Sequence, residues 1–309
     1  MTQKITPTFT ETLCAICDNN FSDKELYPAN FTSEALNYDV FSARRRPDRL
    51  HYRIVRCDSC GLIRSNSILD EETLTELYAG SFFTYAKESA YAAQTYAQYS
   101  ERALRRLPEN RESLKLLEIG CGNGFFLKKI KEAGLNEVYG VEPSLDAVNQ
   151  SGELKSRIHV GMFGPGIHPQ NSFDLVCAFQ IFDHISRPND FLKECRAYLK
   201  QNGLILLINH NIGSATARLL GERCPMIDIE HPYLYDKTTW RRIVEKNGFE
   251  VVEIFDVYNQ YPLSYWMKLM PLPASLKTGL LKGIEITALG HVPLTLGLGN
   301  MGLIARKNK

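Results

Sequence analysis

The sequence predicts an α/β fold, a doubly wound and mostly parallel sheet carried behind a small N-terminal cysteine-bearing module. Three observations predict it. Short apolar runs alternate with amphipathic stretches from residue 114 onward, a glycine-rich turn joins the first such run to the first such helix, and two CxxC pairs precede the whole array. Strands alternating with short helices imply parallel strands joined by crossovers, with helices on both faces.

At 309 residues the chain is about twice a typical domain of ~150, so one full α/β domain plus something smaller is expected. Hydrophobic residues make up 44% and charged residues 23%, an ordinary globular balance. The 36 basic and 35 acidic residues leave a net charge of +1, which disfavours a nucleic-acid partner bound by neutralising many phosphates. No N-terminal run has the character of a secretory signal, so a reducing cytoplasm is the expected location. Eight cysteines in that compartment read as metal ligands and buried thiols rather than a disulfide framework.

Residues 1–13 are polar, without apolar periodicity, and read as a flexible leader. Residues 14–70 carry both CxxC pairs and a strand-like HYRIVRC, and form the small module. Residues 71–110 are rich in Glu, Leu, Ala and Tyr at helical spacing and predict a bridge of two or three helices. From 111 to 309 the α/β domain follows. LKLLEIG (114–120), VYGVEP (138–143), RIHVG (157–161), the start of FDLVCAFQIFDHI (173–185) and LILLINH (204–210) read as strands. FFLKKIKEAG (125–134), the stretch around 145–150 and FLKECRAYLKQNG (191–203) read as helices between them. TTWRRIVEKNGF (238–249) is helical, and FEVVEIFDV and GLIARK (302–307) complete the strands, with an apolar insertion at 262–299. Four prolines and three lysines interrupt that insertion, and no window reaches ~18 uninterrupted apolar residues, so it is not a transmembrane helix. It is expected to serve as a substrate lid, a dimer surface or a membrane-surface contact.

The turn LLEIGCGNGFF places glycines at 120, 122 and 124 where a ligand must approach the backbone closely. A dinucleotide-binding turn would carry a further glycine where Phe125 stands, and Glu118 sits two residues before the first glycine. An acid there suits a ligand with an ammonium and a sulfonium and no pyrophosphate. About 20 residues on, Glu142 ends a strand, the usual place for an acid that accepts ribose hydroxyls. On these residues the chain resembles the class I S-adenosylmethionine methyltransferases, with their Rossmann-like sheet, over roughly 114–210. The resemblance implies that Glu118, Gly120 and Gly122 border the methionine part of S-adenosylmethionine and that Glu142 holds its ribose. Where many relatives have an Asp for the adenine this chain reads GMFGPG, so Met162 and Phe163 are expected to supply packing and a backbone contact. Phe179 and Gln180 align with the strand edge that faces cofactor and substrate.

Cys14 and Cys17, then Cys57 and Cys60, form CxxC pairs with 39 residues between them. Two thiolate pairs can close a tetrahedral, structural Zn2+ site. The remaining Cys121, Cys177, Cys195 and Cys224 read as buried small hydrophobes. With this module, and with FSARRRPDRLHYRIVRCDSCGLIRSNSIL, ELYAGSFFTY and DIEHPYLYDKTTW, the chain resembles zinc-ribbon-bearing methyltransferases of bacterial sugar, polysaccharide and natural-product pathways. It is also similar to the N-terminal part of the deoxysugar C-methyltransferases, which carry a further C-terminal domain.

The acceptor should lie over the C-terminal ends of the strands. His184 in IFDHI, His210 and His231 are the candidate bases, since a hydroxyl acceptor gains from a positioned base even when the methyl donor is already activated. The Tyr-rich bridge (Tyr78, Tyr85, Tyr91, Tyr96, Tyr99) is either a cover for the cofactor or packing. The reading as a whole is a methyltransferase acting on a hydroxyl of a sugar-containing small molecule or glycan precursor. An RNA methyltransferase using the ribbon and Arg44–Arg46, or a non-catalytic cofactor-binding scaffold, are the alternatives.

Overall fold

The computed structural model describes residues 7–32, 49–80, 89–108, 110–269, 274–286 and 289–308. Arg44–Arg46, Tyr85 and Met270, the last within the insertion, lie outside them. The main sheet has seven strands: β1 Lys115–Ile119, β2 Glu137–Glu142, β3 Ile158–Val160, β4 Phe173–Phe179, β5 Leu199–His210, β6 Phe249–Pro262 and β7 Pro293–Lys307. Their spatial order is β6-β7-β5-β4-β1-β2-β3. The pairs β3–β2, β2–β1, β1–β4 and β4–β5 are parallel, and β7 runs antiparallel to both neighbours. The chain therefore builds outward from β1 to β3 and then returns to β4 on the other side of β1. That reversal opens a crevice at the C-terminal ends of β1 and β4.

All seven residues of β4 are buried, as a central strand covered on both faces requires. Alternate residues serve the two faces. Leu117, Ile119, Val176 and Ala178 pack with the helices Pro188–Tyr198 and Lys237–Lys246 through Leu192, Tyr198 and Trp240. Leu116, Leu175 and Cys177 pack on the opposite face with the helices Ser89–Leu104 and Phe125–Glu132. Cys121, Cys177, Cys195 and Cys224 are all buried, consistent with their reading as small hydrophobes.

The helix before β5 ends at Tyr198 and the strand already starts at Leu199, earlier than the sequence pattern predicts. The pairing with β4 shifts register between Leu199 and Leu204, so the polar LKQNG stretch is an irregular strand entry rather than a helix end. Residues 293–299, placed by the sequence in the insertion, belong to β7 and pair with the extension of β6. Between those strands stand the helices Leu263–Leu269 and Ala274–Ile286, and Trp266 packs against Tyr261 and Tyr265.

Of the 1–13 stretch expected to be a flexible leader, the described residues 7–13 are held in place instead. Phe9–Thr10 pairs with Ile68–Leu69, and Thr12 donates its backbone N–H to Asn66 and its hydroxyl to the Ser65 carbonyl. A two-residue strand has no periodicity for sequence reading to detect. Strands Asp23–Tyr27, Ile54–Cys57 and Ile63–Ser65 form a small antiparallel sheet, whose fourth strand is Tyr233–Leu234, drawn from beyond β5. Cys14, Ala15, Cys57 and Leu62 lie in the same buried cluster as Leu117 and Trp240. The module is thus packed into the α/β domain rather than tethered to it.

Candidate functional site

The glycine turn joins β1 to the helix Phe125–Glu132, and Gly120, Gly122 and Gly124 have φ of +70°, +55° and +73°. A side chain at Gly120 would put its Cβ 2.5 Å from Ile181 Cδ1, so this glycine is required for the turn to pass the segment after β4. The Glu142 carboxylate accepts the Gly122 N–H and the Ser144 N–H, both at 2.9 Å. Burial raises the Glu142 carboxyl, partly offset by those two donors. Glu142 therefore braces the turn from the end of β2.

Buried polar atoms without hydrogen bonds concentrate at this edge. Among the described residues they include Glu118 Oε2, Asn123 Oδ1, both amide atoms of Gln180, Asp183 Oδ1 and Asn209 Nδ2. Such groups are costly to leave unpaired, which points to a polar ligand that completes them. Gln180 also has φ of +56°, uncommon for a side chain larger than glycine and characteristic of functional strand ends. These features fit a cofactor with an ammonium, a carboxylate and a ribose. Phe179, by contrast, stacks on Tyr96 at 4.4 Å and meets Phe126 edge-on at 4.8 Å, within the core. Phe163 packs on Phe191 and Tyr198, whereas Met162 is exposed.

Burial, and then the charge of Glu142, push the Glu118 carboxyl well above the usual range. A carboxyl raised by folding stabilises the protein below its unfolded pKa, and that contribution is lost as pH climbs through the folded one. Glu118→Gln should therefore raise the melting temperature of the free protein at about pH 8, with the gain shrinking toward pH ~4–5, while weakening cofactor binding. Melting curves over that range, with calorimetric titration of S-adenosylhomocysteine, check both halves; a variant that melts lower at every pH would reject the account.

The structure brings the three candidate histidines to one place. Asp183, buried in the turn after β4, lies between them. His210, at the end of β5, donates from Nδ1 to Asp183 Oδ2 at 2.6 Å. His231 Nδ1 donates to the Met226 carbonyl at 2.9 Å, and its Nε2 stands 4.0 Å from the same carboxylate oxygen. His184 Nε2 is 3.9 Å from Asp183 Oδ1, with Tyr78 Oη 3.4 Å from its Nδ1. Burial alone would raise the Asp183 carboxyl, but His231 and His210 outweigh it and hold the group well below the usual carboxylate range. Asn209 accepts the Asp183 backbone N–H and fixes the turn. Sequence reasoning missed Asp183 and Asn209, although IFDHI and LILLINH contain both and parallel neighbours bring their ends together. Of the tyrosines, Tyr78 reaches this cluster, Tyr96 and Tyr99 stack on Phe179 and Phe255, and Tyr91 meets Tyr261.

Cys14, Cys17, Cys57 and Cys60 bring four sulfur atoms within 4.8 Å of one another. Burial pushes the Cys17 and Cys60 thiols up and would raise Cys57 too, but the N–H groups of Cys60 and Ser59 help to hold Cys57 below its ordinary value.

A doubly wound sheet with this strand order, a glycine turn braced by a strand-end acid and a polar crevice at the switch point define a class I S-adenosylmethionine-dependent methyltransferase. Residues 91–254, more than half of the chain, match the family model described as a methyltransferase domain, and the chain belongs to that family. It is 29% identical over 134 residues to a ubiquinone biosynthesis O-methyltransferase of Bradyrhizobium diazoefficiens, covering 39% of this chain and 53% of that protein. It is 27% identical over 207 residues to a tRNA U34 carboxymethyltransferase of Cellvibrio japonicus, covering 62% of each. The chain spans between about half and two thirds of the length of these curated relatives. Among solved structures, the YcgJ protein of Bacillus subtilis superposes with a TM-score of 0.48 at 15% identity, over 70% of this chain and 99% of that one. No helix among the described residues is long and apolar enough to cross a membrane.

Proposed function

We propose that the chain methylates a hydroxyl of a sugar-containing small molecule or glycan precursor, with His184 or His210 assisting proton removal and His231 completing the site. The meeting of three histidines around the buried Asp183, two residues after the Ile181 that lies against Gly120, carries this reading. S-adenosylmethionine supplies an activated methyl group on a sulfonium. The chain's own residues bind, orient and exclude water: Glu118, Gly120 and Gly122 at the methionine end, Glu142 at the ribose, Met162 and Phe163 at the adenine, Gln180 between cofactor and acceptor, with Phe179 in the core behind it. Asp183 accepts from His210 Nδ1 and so leaves Nε2 to receive a proton. In the same reading the 14–70 module holds one structural Zn2+ on Cys14, Cys17, Cys57 and Cys60. The 71–110 bridge and the helices between β6 and β7 cover the acceptor, since displacement at a sulfonium gains from an enclosed pair of reactants.

The similarity to a tRNA-modifying enzyme supports a second reading, methylation of RNA. Assays with labelled S-adenosylmethionine against nucleotide sugars, glycan precursors and RNA separate the two. The first reading expects turnover on hydroxylated sugar acceptors, and His184→Ala or His210→Ala lowering it roughly 10²–10⁴-fold with S-adenosylhomocysteine affinity unchanged. Turnover on RNA alone would overturn it.

A further inference from the structure

We propose that Asp183, His210 and His231 form a second metal site, distinct from the four cysteines, that takes a divalent transition-metal ion. One ligand atom from each lies within 4.8 Å of the other two. The three come from separate elements: the turn after β4, the end of β5, and the segment that leads into the strand Tyr233–Leu234. Their convergence is a product of the fold and not of one local sequence.

The proton inventory has a place for a cation at the centre. His231 donates its Nδ1 proton to the Met226 carbonyl, so in the neutral ring Nε2 holds a lone pair. That atom stands 4.0 Å from Asp183 Oδ2, two acceptors that either a second proton on the His231 ring or a bound cation reconciles. Asp183 is 1% exposed and its Oδ1 accepts no hydrogen bond from the described residues. The short contact of Oδ2 with His210 Nδ1, 2.6 Å, holds a proton in a place that a metal ion can take instead.

The surroundings match those of metal-binding histidines. A ring nitrogen that is not a ligand is commonly tied to a carbonyl, as His231 Nδ1 is to Met226, and the carboxylate's own backbone is held, as Asp183 is by Asn209. Two imidazoles and one carboxylate suit zinc, iron(II) or cobalt(II) better than magnesium or calcium, and they leave coordination positions open to oxygen ligands. Use of those positions by the acceptor hydroxyl rests on the function proposed above; the existence of the site does not. With an ion in place His210 is a ligand, and His184, whose ring centroid is 4.6 Å from that of His231, is the histidine left to take the proton.

Cobalt(II) titration of the chelator-treated full chain tests the site, because thiolate ligands give intense near-ultraviolet charge-transfer absorption and imidazole–carboxylate ligands give only weak visible bands. The expected result is two equivalents bound, one of each spectral kind, confirmed by elemental analysis after dialysis. His231→Gln and Asp183→Asn should each remove the visible-only equivalent and spare the thiolate one. Binding of a single, thiolate-type equivalent by wild-type protein overturns the proposal, as does a second equivalent that survives both variants. Methylation of a sugar hydroxyl at full rate with only the thiolate site filled would leave the acceptor class standing and refute the ion's part in it.

Discussion

Gly122→Asp abolishes binding of S-adenosylmethionine and S-adenosylhomocysteine while the protein stays folded. Gly122 has φ of +55°, a region that Asp enters more readily than most side chains, so the turn keeps its shape. The new carboxylate is then carried by a residue whose N–H donates to Glu142, in the turn that follows the buried Glu118. A third acid with no counter-charge, buried when the ligand arrives, costs about 3–5 kcal/mol and lowers affinity by more than ~10². Calorimetric titration with a parallel melting curve measures both halves of the expectation. Affinity equal to wild type would remove the assignment of this turn to the cofactor.

The second large effect belongs to the cysteines. Structural zinc contributes about 10–16 kcal/mol of apparent binding energy in small modules, so Cys57→Ser should release the ion and unfold much of residues 14–70. The loss should not stop there, because Cys57 and Leu62 share a buried cluster with Leu117 and Trp240. Hydrogen exchange should show deprotection of Tyr233–Leu234 together with the module, and β1 to β5 should be affected least. Wild-type protein without zinc by elemental analysis, or a Cys57→Ser variant that melts like wild type, would reject the metal reading.

Much of this was legible before any coordinates, and for physical reasons. LKLLEIG, VYGVEP and FDLVCAF are short apolar runs because central parallel strands are buried on both faces, and that composition survives in one dimension. The glycine turn and Glu142 are also local features, set by backbone conformation and a strand end. The histidines were visible one at a time, but Asp183, which gathers them, was not. Its partners are contributed by β5 and by a loop far along the chain, and a single acid next to His184 has no signature. The extension of β6 and β7 escaped for another reason: a register shift between Val257 and Asn259 breaks the alternation where the predicted strand ended.

The small sheet has a temporal side. Arg64, fully buried and paired with Asp23, sits on the strand whose outer neighbour is Tyr233–Leu234, so this part of the chain waits for a partner made about 170 residues later. Until β1 to β5 and the following segment have emerged, the module lacks its fourth strand and the core that Leu117 and Trp240 provide. Contacts so distant in sequence form late, after the loop entropy between them has been overcome. Vectorial synthesis therefore makes the four cysteines before the strand Tyr233–Leu234 and before the core residues that Cys14 and Cys57 pack against.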